Sequence, residues 1–522
     1  MFLCLGAVVA LQGCASSSKS VANEEAARTA HFDRIFDDVV ARYRLPGLAL
    51  GVVRDGRVVY QRTTGELIAG SGRRIDGDTL FKIASNSKAM TTAVLARLVD
   101  RGKLYWSDPV TQYLPEFKMS DPWITRELQV RDLLIHNSGL REGAGDLMLW
   151  PEPNLFTRAD ILAAFAHLKP QQSFRSSYAY DNLMYVVAGE VAAAASGVSY
   201  ETLVARELFE PLGMSRCQAG AFERDRIGNV AQPHRRDGER NLMIRADAEL
   251  IPASTSAAAG GIRCSLNDML KWVTLLLSSD MKPSPSSAPW ISQTRREELW
   301  RAQMPLPVSS RQRRWDGTRF TAYGYGWRLS DTHGALRVAH TGTLAGMYSA
   351  VTLLPERGAG FVFMINGEGS SARIVLNQTL VETLLGVSKR TVASYADELE
   401  AERQSPRSAP NQLRVGMPVE PDSVLELLGV YRDPWFGEVS VCPRENGVEF
   451  VAAKSPRLVG PLIQVADRVL VNWRDESVDV DSWLDFTTDQ GTPVMLMTKV
   501  DPEADFSFDF EDLRFVRTAA CP

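Results

Sequence analysis

The sequence predicts two unlike parts: a long mixed domain with an antiparallel sheet and segregated helices, then a small all-β domain. Three stretches carry that expectation. Residues 24–44 place Ala27, Phe32, Ile35, Phe36, Val39, Val40 and Tyr43 at helical spacing and stop at Pro46-Gly47. The run LALGVVRDGRVVYQRTTGE follows, two β-rich segments joined by Asp55-Gly56, a strong hairpin signal. The last hundred residues change character: Asn446-Gly447 marks another hairpin, and Phe506, Phe508 and Phe510 alternate with polar neighbours as in a strand. A chain of 522 residues exceeds one hydrophobic core, so two domains are expected.

The formal net charge is −5, which gives nucleic-acid binding no electrostatic support. After the first few residues no apolar run is long enough to span a bilayer. Those first residues, an apolar run from Phe2 to Leu11 followed by Gln12-Gly13-Cys14 and a serine-rich stretch, resemble a bacterial lipoprotein signal. The resemblance implies a signal over residues 1–14, lipidation of Cys14, a tether over 15–24, and an exported protein anchored to a bacterial, outer-type membrane. Export permits disulfides. Cys217, Cys264, Cys442 and Cys521 remain for them, at no metal-binding spacing, and their pairing does not follow from sequence.

The chemistry-bearing stretch is FKIASNSKAM, residues 81–90, where a strand-like run gives way to a helical one. Ser85 and Lys88 lie at i and i+3, on one face of the expected helix, and an amine beside a serine can activate a weak nucleophile. Ser85 also falls in the first turn, where free backbone N–H groups favour a developing oxyanion. The bare spacing is common, since Ser16/Lys19 and Ser279/Lys282 share it. Further along, Tyr180-Asp181-Asn182 stand at the entrance to an apolar helix. Asn182 can accept from a lysine ammonium and donate to a substrate carbonyl, and Tyr180 can relay a proton if nearby cations lower its pKa from about 10. His340-Thr341-Gly342 sits on a strand-like run, where the glycine lets a substrate backbone come close. His136, at the end of VRDLLIHNSGL, reads as a capping or packing residue. Taken singly, each motif has an ordinary structural reading: a helix start, a cap with a core tyrosine, a satisfied strand histidine.

Ser-x-x-Lys, Tyr-x-Asn and His-Thr-Gly in this order resemble the penicillin-recognising serine hydrolases, which include class C β-lactamases, DD-carboxypeptidases, D-aminopeptidases and related esterases. The resemblance covers about residues 30–390. It implies an α/β sandwich plus an all-α subdomain (β-lactamase/transpeptidase-like), with the site in the groove between them, over residues 25–390. It further implies Ser85 as nucleophile, Lys88 as its partner, Tyr180 as proton relay and Asn182 as holder of the substrate amide. His340 stands where β-lactamases have lysine. Gly342 and Thr343 contact substrate, and the backbone amides of Ser85 and Thr343 form the oxyanion hole. No cofactor is expected, and no metal, because no ligand cluster is visible. The chain also has no Gly-x-Ser-x-Gly elbow, which removes the α/β-hydrolase design.

A histidine at position 340 carries less positive charge than lysine, which favours small esters, amides or short peptides, D-residues included, over β-lactams. The alternatives are a β-lactamase or DD-carboxypeptidase and, from another class, a non-catalytic sensor or scaffold that binds peptidoglycan fragments or antibiotics. Residues 391–420, charged and then Pro/Ser-rich, read as a linker. Residues 421–522 resemble the lipocalin-like barrel appended to some of these hydrolases, which could gate the cleft, assemble oligomers or bind a ligand. The acidic run from Asp475 to Asp512 reads as a solvated β surface, with a calcium site as the alternative.

Overall fold

The computed structural model describes residues 10–283, 287–387, 389–404, 416–445 and 447–522. Helix α1 (Ala10–Tyr43) contains the expected 24–44 helix and runs further back. The stretch expected as a tether is helical because Ala22, Glu24, Glu25, Ala26 and Ala27 are all good helix formers. Residues 1–9 of the expected signal, and the Cys14 side chain, lie outside the described residues.

Strands β1 (Gly47–Arg54) and β2 (Arg57–Gly65) form the expected hairpin. Asp55 and Gly56 both take positive φ, 49° and 72°, as a two-residue turn with primed geometry requires. The chain then leaves the sheet for a helical region containing α2 (Ser87–Asp100), α3 (Leu183–Ser196) and α4 (Leu266–Leu277). It returns through β3 (Met304–Leu306), β4 (Thr321–Tyr323), β5 (Arg328–Thr332), β6 (Ala335–Leu344), β7 (Met347–Leu354) and β8 (Ala359–Ile365). The result is one antiparallel sheet of eight strands in the order β2-β1-β8-β7-β6-β5-β4-β3.

Alternation along β1 divides the core between the two faces of the sheet. Leu48, Leu50 and Val52 pack with Phe32, Phe36 and Val39 of α1 and with Val375, Leu376 and Leu380 of α5 (Ser370–Leu385). Ala49 and Val53 face the other way, with Leu270 and Val273 of α4. These layers are the expected sandwich, and the region around α2 and α3 is the expected helical subdomain.

The linker expected over 391–420 is corrected in its first part. Residues Val392–Gln404 form α6, whose Val392, Tyr395, Ala396 and Leu399 are buried against α1 and α5. Their spacing is helical, but the charges between them dominate the composition; Asp397 and Glu400 turn outward to Arg42, at 2.7 and 2.8 Å. Residues 405–415 lie outside the described residues.

The C-terminal part is a closed eight-stranded barrel. Strands β9 (Gly429–Asp433), β10 (Gly437–Arg444), β11 (Gly447–Ala452), β12 (Val459–Val465), β13 (Arg468–Val471), β14 (Ser482–Asp489), β15 (Thr492–Lys499) and β16 (Arg514–Ala519) each pair antiparallel with the next. Pairing of β16 with β9 closes the ring. Tyr431, Phe450, Trp473, Met495 and Phe515 are buried among its core residues, as expected for eight strands, whose interior side chains can fill. Asn446 of the expected hairpin lies outside the described residues, and Gly447 opens β11.

Two readings of the tail are corrected. Phe506 and Phe508 are not on a strand but in the β15–β16 connection, and Phe510–Asp512 is a short 3₁₀ turn. Asp501 and Asp505 accept the N–H groups of Glu503 and Ser507, both at 2.9 Å, so local Asx turns replace a ladder. The acidic run is also less solvated than expected. Asp475 pairs with Arg457 at 2.6 Å, and Asp481, Asp501 and Asp509 are buried. The four remaining cysteines form two disulfides, Cys217–Cys264 and Cys442–Cys521.

If α6 belongs to the core, Leu399→Ala will cost about 2–4 kcal/mol of stability, as buried leucine truncations do. Denaturant unfolding of the full chain measures this; a change near zero would restore the linker reading.

Candidate active site

The chain enters the site along Phe81–Lys82, bends at Ala84 and continues through a 3₁₀ turn, Ala84–Asn86, into α2. Ala84 has φ of 49°, a conformation a non-glycine residue adopts at a cost of about 1–3 kcal/mol. Ile83, Ala84 and residues 86–90 are buried, while Ser85 alone in this run is partly exposed. The bend therefore presents one hydroxyl to the cleft.

Lys88, one turn on, is 0 % exposed. Its Nζ lies 2.6 Å from Asn182 Oδ1, 2.8 Å from the Ala259 carbonyl and 3.3 Å from Ser85 Oγ. The first two partners can only accept. A neutral amine has two N–H groups for them and one lone pair, which is left facing the serine hydroxyl. Burial, the largest cause, brings the lysine pKa down to about 7; Arg328 adds to the fall, and Asp146 and Asp181 oppose it. The small-residue run Ala257–Gly261 supplies the Ala259 carbonyl.

Asn182 precedes α3, as expected. Its Oδ1 takes the lysine, and its Nδ2 donates to Asp146 Oδ2 at 2.8 Å. Tyr180 is buried beside the pair, with its ring centroid 4.8 Å from Lys88 Nζ. The expected fall in its pKa is not what the site produces: burial pushes the phenol up, outweighing Ser85 and Arg328. Tyr180 therefore keeps its proton at neutral pH. His136 packs on Tyr180 with ring centroids 4.3 Å apart and accepts from the Asp181 N–H at 3.0 Å, in line with its packing role.

His340, on β6, is buried, and both its nitrogens are engaged. Nδ1 lies 2.8 Å from the Thr341 carbonyl and must be the N–H; Nε2, 3.0 Å from Tyr323, then accepts from the phenol. Burial first, then Arg328 and Lys88, hold the imidazole well below its usual pKa. Gly342 is required where it stands, because a Cβ there would lie 2.2 Å from the Ile83 carbonyl. That contact sets β6 against the segment leading to Ser85. Pairing with β5 ends at Arg328–Ala339, so among the described residues no strand covers the β6 edge over 340–344. Thr343 is exposed there, and Arg373 donates to its hydroxyl at 2.7 Å and to the Gly342 carbonyl at 2.6 Å.

Ser85, Lys88, Tyr180, Asn182, His340, Gly342 and Thr343 are thus brought to one cleft. Sequence reasoning missed Asp146, Tyr323 and Arg328. The exposed Arg328 guanidinium lies 5.7–5.8 Å from the rings of Tyr178, Tyr180 and Tyr323 and forms no ion pair among the described residues. No local spacing marks any of the three. Among the described residues no group of three or more His, Cys, Asp or Glu side chains is arranged to hold a metal ion.

A beta-lactamase family model matches residues 32–385, and a domain of unknown function (DUF3471) matches 414–517. An unguisins hydrolase of Aspergillus campestris is 26% identical over 361 residues, covering 65% of this chain and 62% of that protein. Esterase EstB of Burkholderia gladioli is 32% identical over 251 residues (44% and 60%), and a D-aminopeptidase of Brucella anthropi is 27% identical over 359 (67% and 61%). The matches thus span about three-fifths of each of these relatives. The octameric penicillin-binding protein homologue from Pyrococcus abyssi has the same fold. It aligns with a TM-score of 0.56 at 18% identity, covering 94% of this chain and 99% of that one.

The lysine environment sets a pH dependence. Below about pH 7 Lys88 holds a third proton and has no lone pair for Ser85; above it the lone pair is free. The rate of covalent labelling by a fluorophosphonate should therefore rise with pH through a midpoint near 7 and be lost in Lys88→Met. A midpoint above about pH 9, near an ordinary lysine, would contradict the burial argument.

Proposed function

Because this chain belongs to the beta-lactamase family, we propose that it is an exported serine hydrolase that forms an acyl-enzyme on Ser85 with small esters or short peptides, D-residues included. The observation that carries this reading is the partly exposed Ser85 hydroxyl 3.3 Å from a buried amine whose pKa is near neutrality. Ser85 Oγ attacks the substrate carbonyl while its proton passes to the Lys88 lone pair. The oxyanion is held by the backbone N–H groups of Ser85 and Thr343, a device worth about 10²–10³ in rate per donor. Tyr180, protonated and beside Ser85, hands a proton to the departing alkoxide or amine and is reprotonated from Lys88. Water then attacks the acyl group, gives its proton back through the same pair, and releases the acid and Ser85. Substrate lies along the uncovered edge of β6, adding to it as a strand. The esterase and D-aminopeptidase relatives support the two substrate classes.

His340 is neutral with both nitrogens occupied, so it offers a β-lactam carboxylate little attraction. One observation favours a second reading, a carboxypeptidase-type substrate: the Arg328 guanidinium at the cleft mouth supplies the positive charge that His340 lacks. Two disulfides and the lipoprotein-like start support export to an oxidising compartment with a lipid anchor at Cys14. The closed up-and-down barrel supports the lipocalin-like reading of the C-terminal domain.

Ser85→Ala should abolish both p-nitrophenyl ester hydrolysis and fluorophosphonate labelling. Hydrolysis near the wild-type rate would overturn the assignment, and a wild-type protein that is never labelled would point to the non-catalytic sensor. In the wild type, nitrocefin should be a far poorer substrate than the ester. Arg328→Gln decides between the readings. Under the carboxypeptidase reading, kcat/KM for a dipeptide with a free C-terminal carboxylate falls about tenfold relative to that for the ester, a ratio in which any change in Lys88 basicity cancels. Under the first reading the ratio is unchanged.

A further inference from the structure

The β15–β16 connection leaves the barrel and enters the cleft of the first domain. Phe506 meets Tyr180 edge-on, with ring centroids 5.8 Å apart. Its carbonyl lies 2.6 Å from where a Cβ on Gly143 would be, so only glycine admits it there. Ser507 Oγ donates to Asp146 Oδ2 at 2.8 Å, and buried Asp509 accepts the N–H groups of Gly145 at 2.6 Å and Leu147 at 3.0 Å. Arg141 closes the contact on Glu511 at 3.1 Å and Asp512 at 3.6 Å. The loop carrying Asp146 is therefore held from both sides by barrel residues.

Asp146 is itself fully buried and two hydrogen bonds, through Asn182, from the catalytic pair. Lys88 turns its lone pair to Ser85 and donates to its other two partners, so the Asn182 amide turns its Oδ1 to the lysine. The Nδ2 group then faces away, buried, and needs an acceptor. Asp146 Oδ2 is that acceptor, and Ser507 is its second donor. The order Ser507, Asp146, Asn182, Lys88, Ser85 is unbroken, with each link between 2.6 and 3.3 Å. We infer that Asp146 and Ser507 are positioning residues for the Ser85–Lys88 pair, so that the barrel domain completes the hydrolase site from within the same chain. The inference rests on the serine-hydrolase reading above.

The charges around Asp146 give the role a distinct signature. It faces Asp509 of the barrel, Asp181 before α3 and Lys88 of α2; Lys88 in turn faces Asp181, Arg328, His136 and His340. Burial and then Asp509 push the Asp146 carboxyl up, while the Asn182 and Ser507 hydrogen bonds hold it down. Without Ser507 the carboxyl protonates more readily. Its negative field on Lys88 then weakens, and the lysine loses its proton at lower pH.

The experiment is the pH profile of fluorophosphonate labelling for the full-length wild type, Ser507→Ala, Ser507→Thr and Asp146→Asn, with melting temperatures as a folding control. Ser507→Ala should lower the maximal rate about tenfold, the size expected for one hydrogen bond to a charged group. It should also move the acid limb to lower pH. Asp146→Asn should move the limb the same way, and Ser507→Thr should restore both rate and limb. A Ser507→Ala profile superimposable on the wild type would overturn the inference. So would a loss of rate equal at every pH with the limb unmoved, since that is a purely structural effect. Failure of the wild type itself to be labelled would instead refute the hydrolase reading.

Discussion

A lysine amine with no access to water and two carbonyl oxygens to satisfy is the constraint on which the site depends. Asn182 Oδ1 and the Ala259 carbonyl take two N–H groups, and the remaining valence faces Ser85. A third protein acceptor in place of the serine would favour the ammonium and leave no base. Removing the burial would restore an ordinary lysine, protonated at neutral pH. The positions of α3, of the Ala257–Gly261 run and of the bend at Ala84 all follow from the need to bring those oxygens and that hydroxyl to one nitrogen.

The sheet holds the other wall. Gly342 lets β6 approach the Ile83 carbonyl more closely than any side chain would permit, and the strand runs on past the end of β5 with an uncovered edge. His340 is fixed between Tyr323 and the Thr341 carbonyl, so it shapes this wall without carrying charge. Positive charge comes instead from Arg328 and Arg373 on either side. A histidine at position 340 thus removes positive charge from that residue but not from the site as a whole.

What was legible in the sequence was whatever lies within one turn or one strand. Ser85 with Lys88, Tyr180 with Asn182, and His340 with Gly342 are short spacings whose chemistry is local, and the hairpin at Asp55-Gly56 is written in two residues. Asp146 and Ser507 are 361 residues apart and meet only because two domains dock, which no spacing records. The alternating phenylalanines of the tail were visible, but their period matched a strand. Aspartates at 501 and 505 capped the backbone locally and turned the segment into the cleft instead. Helix α6 was hidden for a compositional reason: its four buried residues are outnumbered by the charges that face water.

The central claim is that burial holds Lys88 near neutrality while its neighbours aim the lone pair at Ser85. The most direct measurement is the titration of the lysine side chains by ¹³C NMR in protein labelled at lysine Cε, with Lys88→Met to assign the resonance. The account predicts one lysine that titrates near pH 7 and is missing from the variant. If every lysine resonance, Lys88 included, titrates only above about pH 10, the amine is an ordinary ammonium and the account is wrong.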